Sequence, residues 1–264
     1  MSARAAYGVV VAGGGIAGAE ALLAVRELAG DLVALTLVEP RGELRLHALE
    51  PGAAFAIGDA GRLRIADIAL AARAVVVRSA LAHVDVEGKS VRTREGERLH
   101  YDALLVAVGS SAVLSLHGAM SWLPGAGHRG FPQLLADAET GRVRRVGSLV
   151  PTRCAWPLPA YELALMTARR LKRTRAPAAL RLTTPEPAPL AIFGAVGSSA
   201  VGRELDDAGV GFTGGVVPSF QPGEQPIVSM WPTSQRLTAD RVVALPRRVA
   251  REIPDCAPTS RGSS

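Results

Sequence analysis

The sequence predicts an α/β fold with two units in series, each built on a parallel sheet flanked by helices and each carrying a small antiparallel β-meander. Three observations lead there. A short Val-rich strand runs into a glycine-rich turn and an apolar helix near the N-terminus, a continuous apolar strand at 99–109 closes the first unit, and a similar strand recurs near residue 240. With 264 residues the chain is long enough for two ordinary domains, and at 48% hydrophobic and 20% charged it is too apolar for disorder.

Residues 7–12, YGVVVA, have the short, uncharged, Val-rich pattern of a buried parallel strand. They lead into GGGIAGAEALLAVREL, with G-x-G-x-x-G at Gly13, Gly15 and Gly18, followed by a helix that is apolar at Leu22, Leu23, Val25 and Leu28. A second strand, LVALTLVE, ends on Glu39, 21 residues past Gly18. That is the spacing of a dinucleotide-binding βαβ unit of the Rossmann type. Gly13 allows the tight turn, Gly15 lets the backbone approach a diphosphate, and Gly18 lets helix and strand pack closely. The helix start offers N–H groups to phosphate, and Glu39 is placed to accept hydrogen bonds from a ribose while disfavouring a 2′-phosphate.

Residues 79–100 alternate apolar and polar positions between turns at Glu87-Gly88 and Glu95-Gly96, the pattern of a meander. The strand 99–109 follows, and because ligands collect at the C-terminal ends of parallel strands, Ala107, Val108 and Gly109 are expected beside the glycine loop.

The plan then repeats. Strands are expected at 146–150, 180–186 (ending on Glu186) and 237–246, with a helix at 161–171. The closing strands align as YDALLVAVG with ADRVVALPR, and 89 residues separate both Gly13 from Asp102 and Pro151 from Asp240. The second loop, PTRCAWPLPA, has prolines where the first has glycines; proline lacks an N–H, so this loop cannot form the same cradle. Pro159 can still start a helix. The expected boundaries are 1–112 for the first unit, 113–247 for the second and 248–264 for a flexible tail.

GGGIAGAE with Glu39, the YDALLVAVG strand and the WPLPAYELAL segment resemble the two-dinucleotide-domain FAD-dependent oxidoreductases, a group that includes pyridine nucleotide-disulfide oxidoreductases, type II NADH dehydrogenases and sulfide:quinone reductases. The resemblance runs from about Tyr7 to about Arg248. It implies FAD as cofactor, with its diphosphate on Gly13, Gly15, Ile16, Ala17 and Gly18, its ribose on Glu39, adenine near Leu81, and flavin contacts at Ala107, Val108 and Gly109. The chain departs from the family in three places. LRLHALEPGAAFAIG lacks the redox cysteine pair, the prolines of the second loop weigh against NAD(P)H there, and only 18 residues follow Pro246, where relatives return to the FAD domain. The expectation is therefore a C-terminally shortened flavoprotein with FAD affinity well below that of full-length relatives.

Other chemistry is weakly supported. The net charge of +6 comes almost wholly from arginine, since Lys89 and Lys172 are the only lysines; aromatics are 4% and the arginines are scattered, which disfavours nucleic acid. Cys154 and Cys256 form no CxxC pair and fit a reducing, cytoplasmic compartment. No apolar run is long enough to span a membrane, and the glycines of the N-terminal stretch disfavour a signal peptide. His47, His83, His100, His117 and His128 lack metal-ligand spacing, so no metal is expected. GKS at 88–90 reads as a hairpin turn, and GSSAV at 109–113 and 197–201 does not complete a hydrolase motif. Cys154 and Glu162 can each be a redox or nicotinamide-facing group, or simply a packed thiol and a helix-start acid. Trp122, Trp156 and Trp231 read as packing residues. The leading expectation is an oxidoreductase passing electrons from NAD(P)H or another small-molecule donor through FAD to a quinone or other acceptor, with no residue assignable as acid or base. The competing one is a non-catalytic nucleotide-binding remnant of such a flavoprotein. The sequence carries no signal for oligomeric state.

Overall fold

In the first strand, Tyr7–Ala12, successive side chains point to opposite faces, and both faces are buried. Val9 and Val11 join Ala19 and Leu22 of the Ile16–Ala29 helix in one core cluster, while Val10 joins Val38, Val84 and Val91 in another. A strand buried on both sides has no polar face to show, which is why YGVVVA reads as unbroken apolar sequence.

The computed structural model describes residues 7–55, 57, 61–123, 130–224 and 226–253. The chain divides into two compact units, one formed by 1–46, 61–111 and 250–264, the other by 47–60 and 112–249. In the first, four parallel strands lie in the order Ala74–Val77, Val33–Val38, Tyr7–Ala12, Ala103–Val106. A separate three-stranded meander comprises Leu81–Asp85, Ser90–Thr93 and Arg98–His100. In the second unit the parallel order is Met120–Ser121, Arg241–Ala244, Arg145–Leu149, Ala179–Thr183, Val210–Thr213, with its own meander of Val217–Gln221, Ile227–Trp231 and Arg236–Thr238. The fold is thus mixed α/β with two Rossmann-type sheets, each accompanied by a meander.

Both closing strands are shorter than the sequence suggests, for one reason. The stretch 99–109 breaks at Asp102, whose Oδ2 accepts the Gly8 N–H at 2.7 Å, and 237–246 breaks at Asp240, whose Oδ2 accepts the Arg144 and Arg145 N–H groups at 2.8 and 2.9 Å. Each aspartate ties the start of a last strand to the start of the first, so the residues before it belong to the meander and those after it to the sheet.

Other boundaries also move. The helix expected at 161–171 runs Leu158–Thr174, and Pro159 sits in its first turn as expected. The strand expected at 180–186 stops at Thr183. Gly194–Ala208 is a helix that the sequence reading did not place. Residues 47–60 group with the second unit, where Phe55 packs edge-on against Phe131 with ring centroids 5.5 Å apart. Arg247–Ala250 is a strand paired with Ser110–Val113, where the sequence reading begins a flexible tail. Cys256 and His128 lie outside the described residues.

Candidate functional site: the glycine loop of the first unit

The loop between the first strand and its helix is fixed by three glycines and left open by a fourth. Gly13 has φ +108°, and a Cβ there would lie 2.3 Å from the Ala107 carbonyl oxygen. A Cβ on Gly18 would lie 1.7 Å from the Gly13 carbonyl oxygen, and one on Gly14 would lie 2.7 Å from Ile65 Cδ1 and 2.8 Å from Glu39 Cγ. None of the three positions has room for a side chain. A Cβ on Gly15, by contrast, would meet nothing within 4 Å. Gly15, Ile16 and Ala17 are exposed, and no side chain caps the helix they begin. The loop therefore presents bare backbone at a helix start, where N–H groups have no intrahelical partner.

Glu39 is turned toward this loop. It is only 7% exposed; its Oε2 accepts the Gly14 N–H at 2.6 Å and its Oε1 accepts the Arg41 N–H at 2.8 Å. A carboxylate oxygen has lone pairs for more than one donor, so a ribose hydroxyl can join these amides. Ala107 lies against the loop, its Cβ being 3.5 Å from where a Gly18 Cβ would stand. Val108 is half-buried, and Gly109 is exposed with φ +74° and clear space on its Cβ side. Leu81 is half-buried against the cluster containing Val10 and Val38, the residue before Glu39. The structure thus brings together Gly13, Gly15, Ile16, Ala17, Gly18, Glu39 and Ala107. The sequence reading overlooked Gly14, whose amide holds Glu39; the signal was available in the unbroken Gly13-Gly14-Gly15 run. Bare amides beside an oriented acid fit the diphosphate and ribose of a dinucleotide such as FAD.

The second unit preserves the backbone plan and changes the loop. The Val150 N–H donates to the Thr183 carbonyl as the Gly13 N–H donates to Val38, at 2.9 and 2.8 Å, and the Thr184 N–H donates to Thr213 as the Glu39 N–H donates to Val77, both at 3.0 Å. Val150 therefore stands at the Gly13 position, one residue before the Pro151 of the spacing argument, and Thr184 rather than Glu186 stands at the Glu39 position. The loop that follows contains Pro151 and Pro157, so no glycine cradle forms.

Near this loop is a polar cluster. Tyr161, 1% exposed, donates to Glu186 Oε2 at 2.8 Å and accepts the Leu190 N–H at 3.2 Å; Glu186 Oε1 is buried with no partner among the described residues. Burial raises the Tyr161 hydroxyl above its ordinary value, and the Glu186 carboxylate adds to the rise. Glu162 is raised by burial, and its Oε2 is also buried without a partner among the described residues. The half-buried Cys154 thiol is raised chiefly by burial and further by Glu186, partly offset by a hydrogen bond with the Trp156 backbone. Such a thiol is protonated at neutral pH. Trp122 is buried, whereas Trp156 is 45% exposed edge-on to Phe193 and Trp231 is 71% exposed, so packing accounts for Trp122 and not for Trp231. Among the described residues no group of three His, Cys, Asp or Glu side chains could hold a metal ion, and no helix is long and apolar enough to cross a membrane.

Neither a protein-family model nor a curated protein matches this chain. Solved structures do. The sulfide:quinone oxidoreductase of the hyperthermophilic bacterium Aquifex aeolicus is similar over 91% of this chain and 58% of its own, with TM-score 0.79 and 20% identity. NDH2 from Plasmodium falciparum, in complex with NADH, is similar over 94% and 56%, with TM-score 0.73 and 13% identity. A ferredoxin reductase from Rhodopseudomonas palustris is similar over 90% and 58%, with TM-score 0.63 and 16% identity. The chain therefore has the fold of these oxidoreductases while spanning less than two thirds of the length of each. The resemblance first seen in the glycine motif extends to the fold of nearly the whole chain.

Proposed function

We propose that this chain is a FAD-dependent oxidoreductase whose first unit carries the cofactor. The observation that supports this reading most is the contrast within the loop: Gly13, Gly14 and Gly18 admit no side chain, Gly15 faces open space, and Glu39 is held against the same loop. The amides of Gly15, Ile16 and Ala17 would receive the diphosphate, Glu39 the adenosine ribose, Leu81 would lie beside the adenine, and the backbone of Ala107, Val108 and Gly109 would border the flavin. FAD supplies a carrier that takes up and gives back electrons; the protein's part is orientation and electrostatics.

The second unit argues for a donor other than NAD(P)H. Val150 and Pro151 replace the glycines and Thr184 replaces the ribose-binding acid, so a second dinucleotide has neither its cradle nor its carboxylate. The name of the Aquifex structure offers a pair that needs no second dinucleotide, with sulfide as donor and a quinone as acceptor. We assign that pair to this chain as the leading substrate class.

The test is to titrate the purified chain with FAD, record the visible spectrum, and add sulfide or NADH anaerobically. The expected result is a yellow protein that bleaches with sulfide more readily than with NADH. A protein that ignores FAD supports the competing reading, a non-catalytic remnant, and ends the proposal; bleaching by NADH alone would keep the cofactor and overturn the donor.

A further inference from the structure

One cation of the first unit stands beside the acid of the glycine loop without a partner of its own. Arg78 directly follows the outermost strand, Ala74–Val77, and in the parallel register that pairs Val38 with Val77 it is the next residue across from Glu39. The Glu39 N–H donates to the Val77 carbonyl at 3.0 Å, so the two residues leave neighbouring strands together. They do so at the C-terminal ends, where ligands of parallel sheets collect.

Gly42 places the guanidinium. The turn that carries Gly42 is tied to Glu39, whose Oε1 accepts the Arg41 N–H at 2.8 Å, and Gly42 itself adopts φ +76°. A Cβ on Gly42 would overlap Arg78 Nη1 and lie 2.7 Å from both Cζ and Nη2. The guanidinium therefore fills the space that a side chain at 42 would take, one residue along from an amide that Glu39 holds. Arg78 is otherwise exposed, with no hydrogen bond or ion pair among the described residues. Glu39, the nearest acid in register, is committed instead to the Gly14 and Arg41 amides. The two carboxylate oxygens also give the site a direction. Oε2 faces Gly14, at the loop that presents bare amides, and Oε1 faces Arg41, with Gly42 and the Arg78 guanidinium beyond it.

From this, and resting on the proposed function for where the ribose lies, we infer that Arg78 is a binding residue whose guanidinium stacks on the adenine of the dinucleotide held by Glu39. A ligand that runs from the glycine loop past Glu39 meets Arg78 with its base, its phosphates having stayed at Gly15, Ile16 and Ala17. A guanidinium is planar and weakly hydrated, and it stacks on aromatic faces as a flat cation. Adenine offers such a face. Leu81, assigned above to the adenine, lies three residues further along the same connection. Gly42 is then a positioning residue, its missing side chain giving the guanidinium its seat.

The experiment is calorimetric titration of the full chain with ADP and with FAD, using inorganic pyrophosphate as the comparison ligand. Arg78→Ala, a change at an exposed side chain, should weaken ADP and FAD by about three- to tenfold, the scale of one cation–π contact, and change pyrophosphate by less than about twofold. Arg78→Lys should recover only part of the loss, because lysine keeps the charge without the plane. Gly42→Ala displaces the movable end of a long side chain and should lose as much as Arg78→Ala, and the double variant should bind no more weakly than Gly42→Ala alone. Unchanged ADP binding in Arg78→Ala would overturn the contact. So would an equal loss for pyrophosphate, which would mean attraction to phosphate, or additive losses in the double variant, which would part Arg78 from its seat. The two readings fail separately. ADP binding that depends on Arg78 in a chain that ignores FAD keeps the adenine contact and ends the flavoprotein proposal; FAD bound equally well by Arg78→Ala does the reverse, and a chain that binds neither ligand ends both.

Discussion

Glu39 accepts the Gly14 N–H at 2.6 Å, so the acid that would hold a ribose also fixes the loop that would hold the diphosphate. Glu39→Ala leaves the buried Gly14 amide without an acceptor, at a cost of about 1–3 kcal/mol, and would remove the proposed ribose contact as well. Glu39→Gln keeps a carbonyl for one of the two amides but sets an NH2 group against the other. We expect FAD affinity to fall by tenfold or more in both variants, and thermal stability to fall further in the alanine variant. Flavin-fluorescence quenching and a melting curve on the same samples provide the check; unchanged affinity in Glu39→Ala would remove Glu39 from the site.

Gly15 and Gly18 separate binding from folding. Gly18→Ala places a Cβ 1.7 Å from the Gly13 carbonyl oxygen, an overlap only backbone movement can relieve. We expect about 2–3 kcal/mol of destabilisation, within the upper range for overpacking. Gly15→Ala meets nothing within 4 Å and adopts ordinary extended backbone at φ −71°, so stability should stay within about 0.5 kcal/mol. Its methyl group would occupy the approach to the bare amides, and FAD affinity should fall by about tenfold. Equal loss of stability in the two variants would contradict the geometry described.

The sequence made much of this site legible, and the reason is steric. G-x-G-x-x-G records places where backbone meets backbone, and the three contacts closing on Gly13, Gly14 and Gly18 are the constraints such a motif encodes. Side-chain rules are less visible. Nothing in YDALLVAVG announces that Asp102 ends the meander, because an aspartate that accepts the Gly8 N–H looks in sequence like any polar residue before a strand. The one-residue error in aligning the second unit has a related cause: Pro151 looked like the counterpart of Gly13, but backbone hydrogen bonds set register, and they select Val150. Glu186, on which the expected strand ends, lies beyond the strand's last residue, Thr183, and accepts the Tyr161 hydroxyl.

Asp240 should give the second unit an acid-sensitive step. Although burial works against its charge, the Arg144 and Arg145 amides and the Arg145 guanidinium hold its carboxyl below the ordinary value. A lowered folded-state value means the stabilisation is fully present above the unfolded value of about 4 and is lost as pH falls through the folded one. Asp240→Asn should therefore cost about 1–2 kcal/mol at pH 6, the scale of hydrogen bonds to a charged group, and much less at pH 3. Urea midpoints of both proteins at the two pH values give the answer; a penalty independent of pH would show that the charge contributes nothing.

The Cys154 thiol is raised by burial and by Glu186, the opposite of what an activated cysteine requires. In a Cys256→Ser background, which leaves Cys154 as the only thiol, alkylation by iodoacetamide at pH 8 should run slower than for free cysteine, because a raised thiol holds less thiolate at that pH. The difference should narrow as the pH rises. Cys154→Ser should still bind FAD, because the loop and acid of the proposed cofactor site belong to the first unit. If alkylation were instead faster than for free cysteine, the thiolate would have to be stabilised by a cation that the described residues do not place beside it, and Cys154 would move from packing residue to candidate nucleophile.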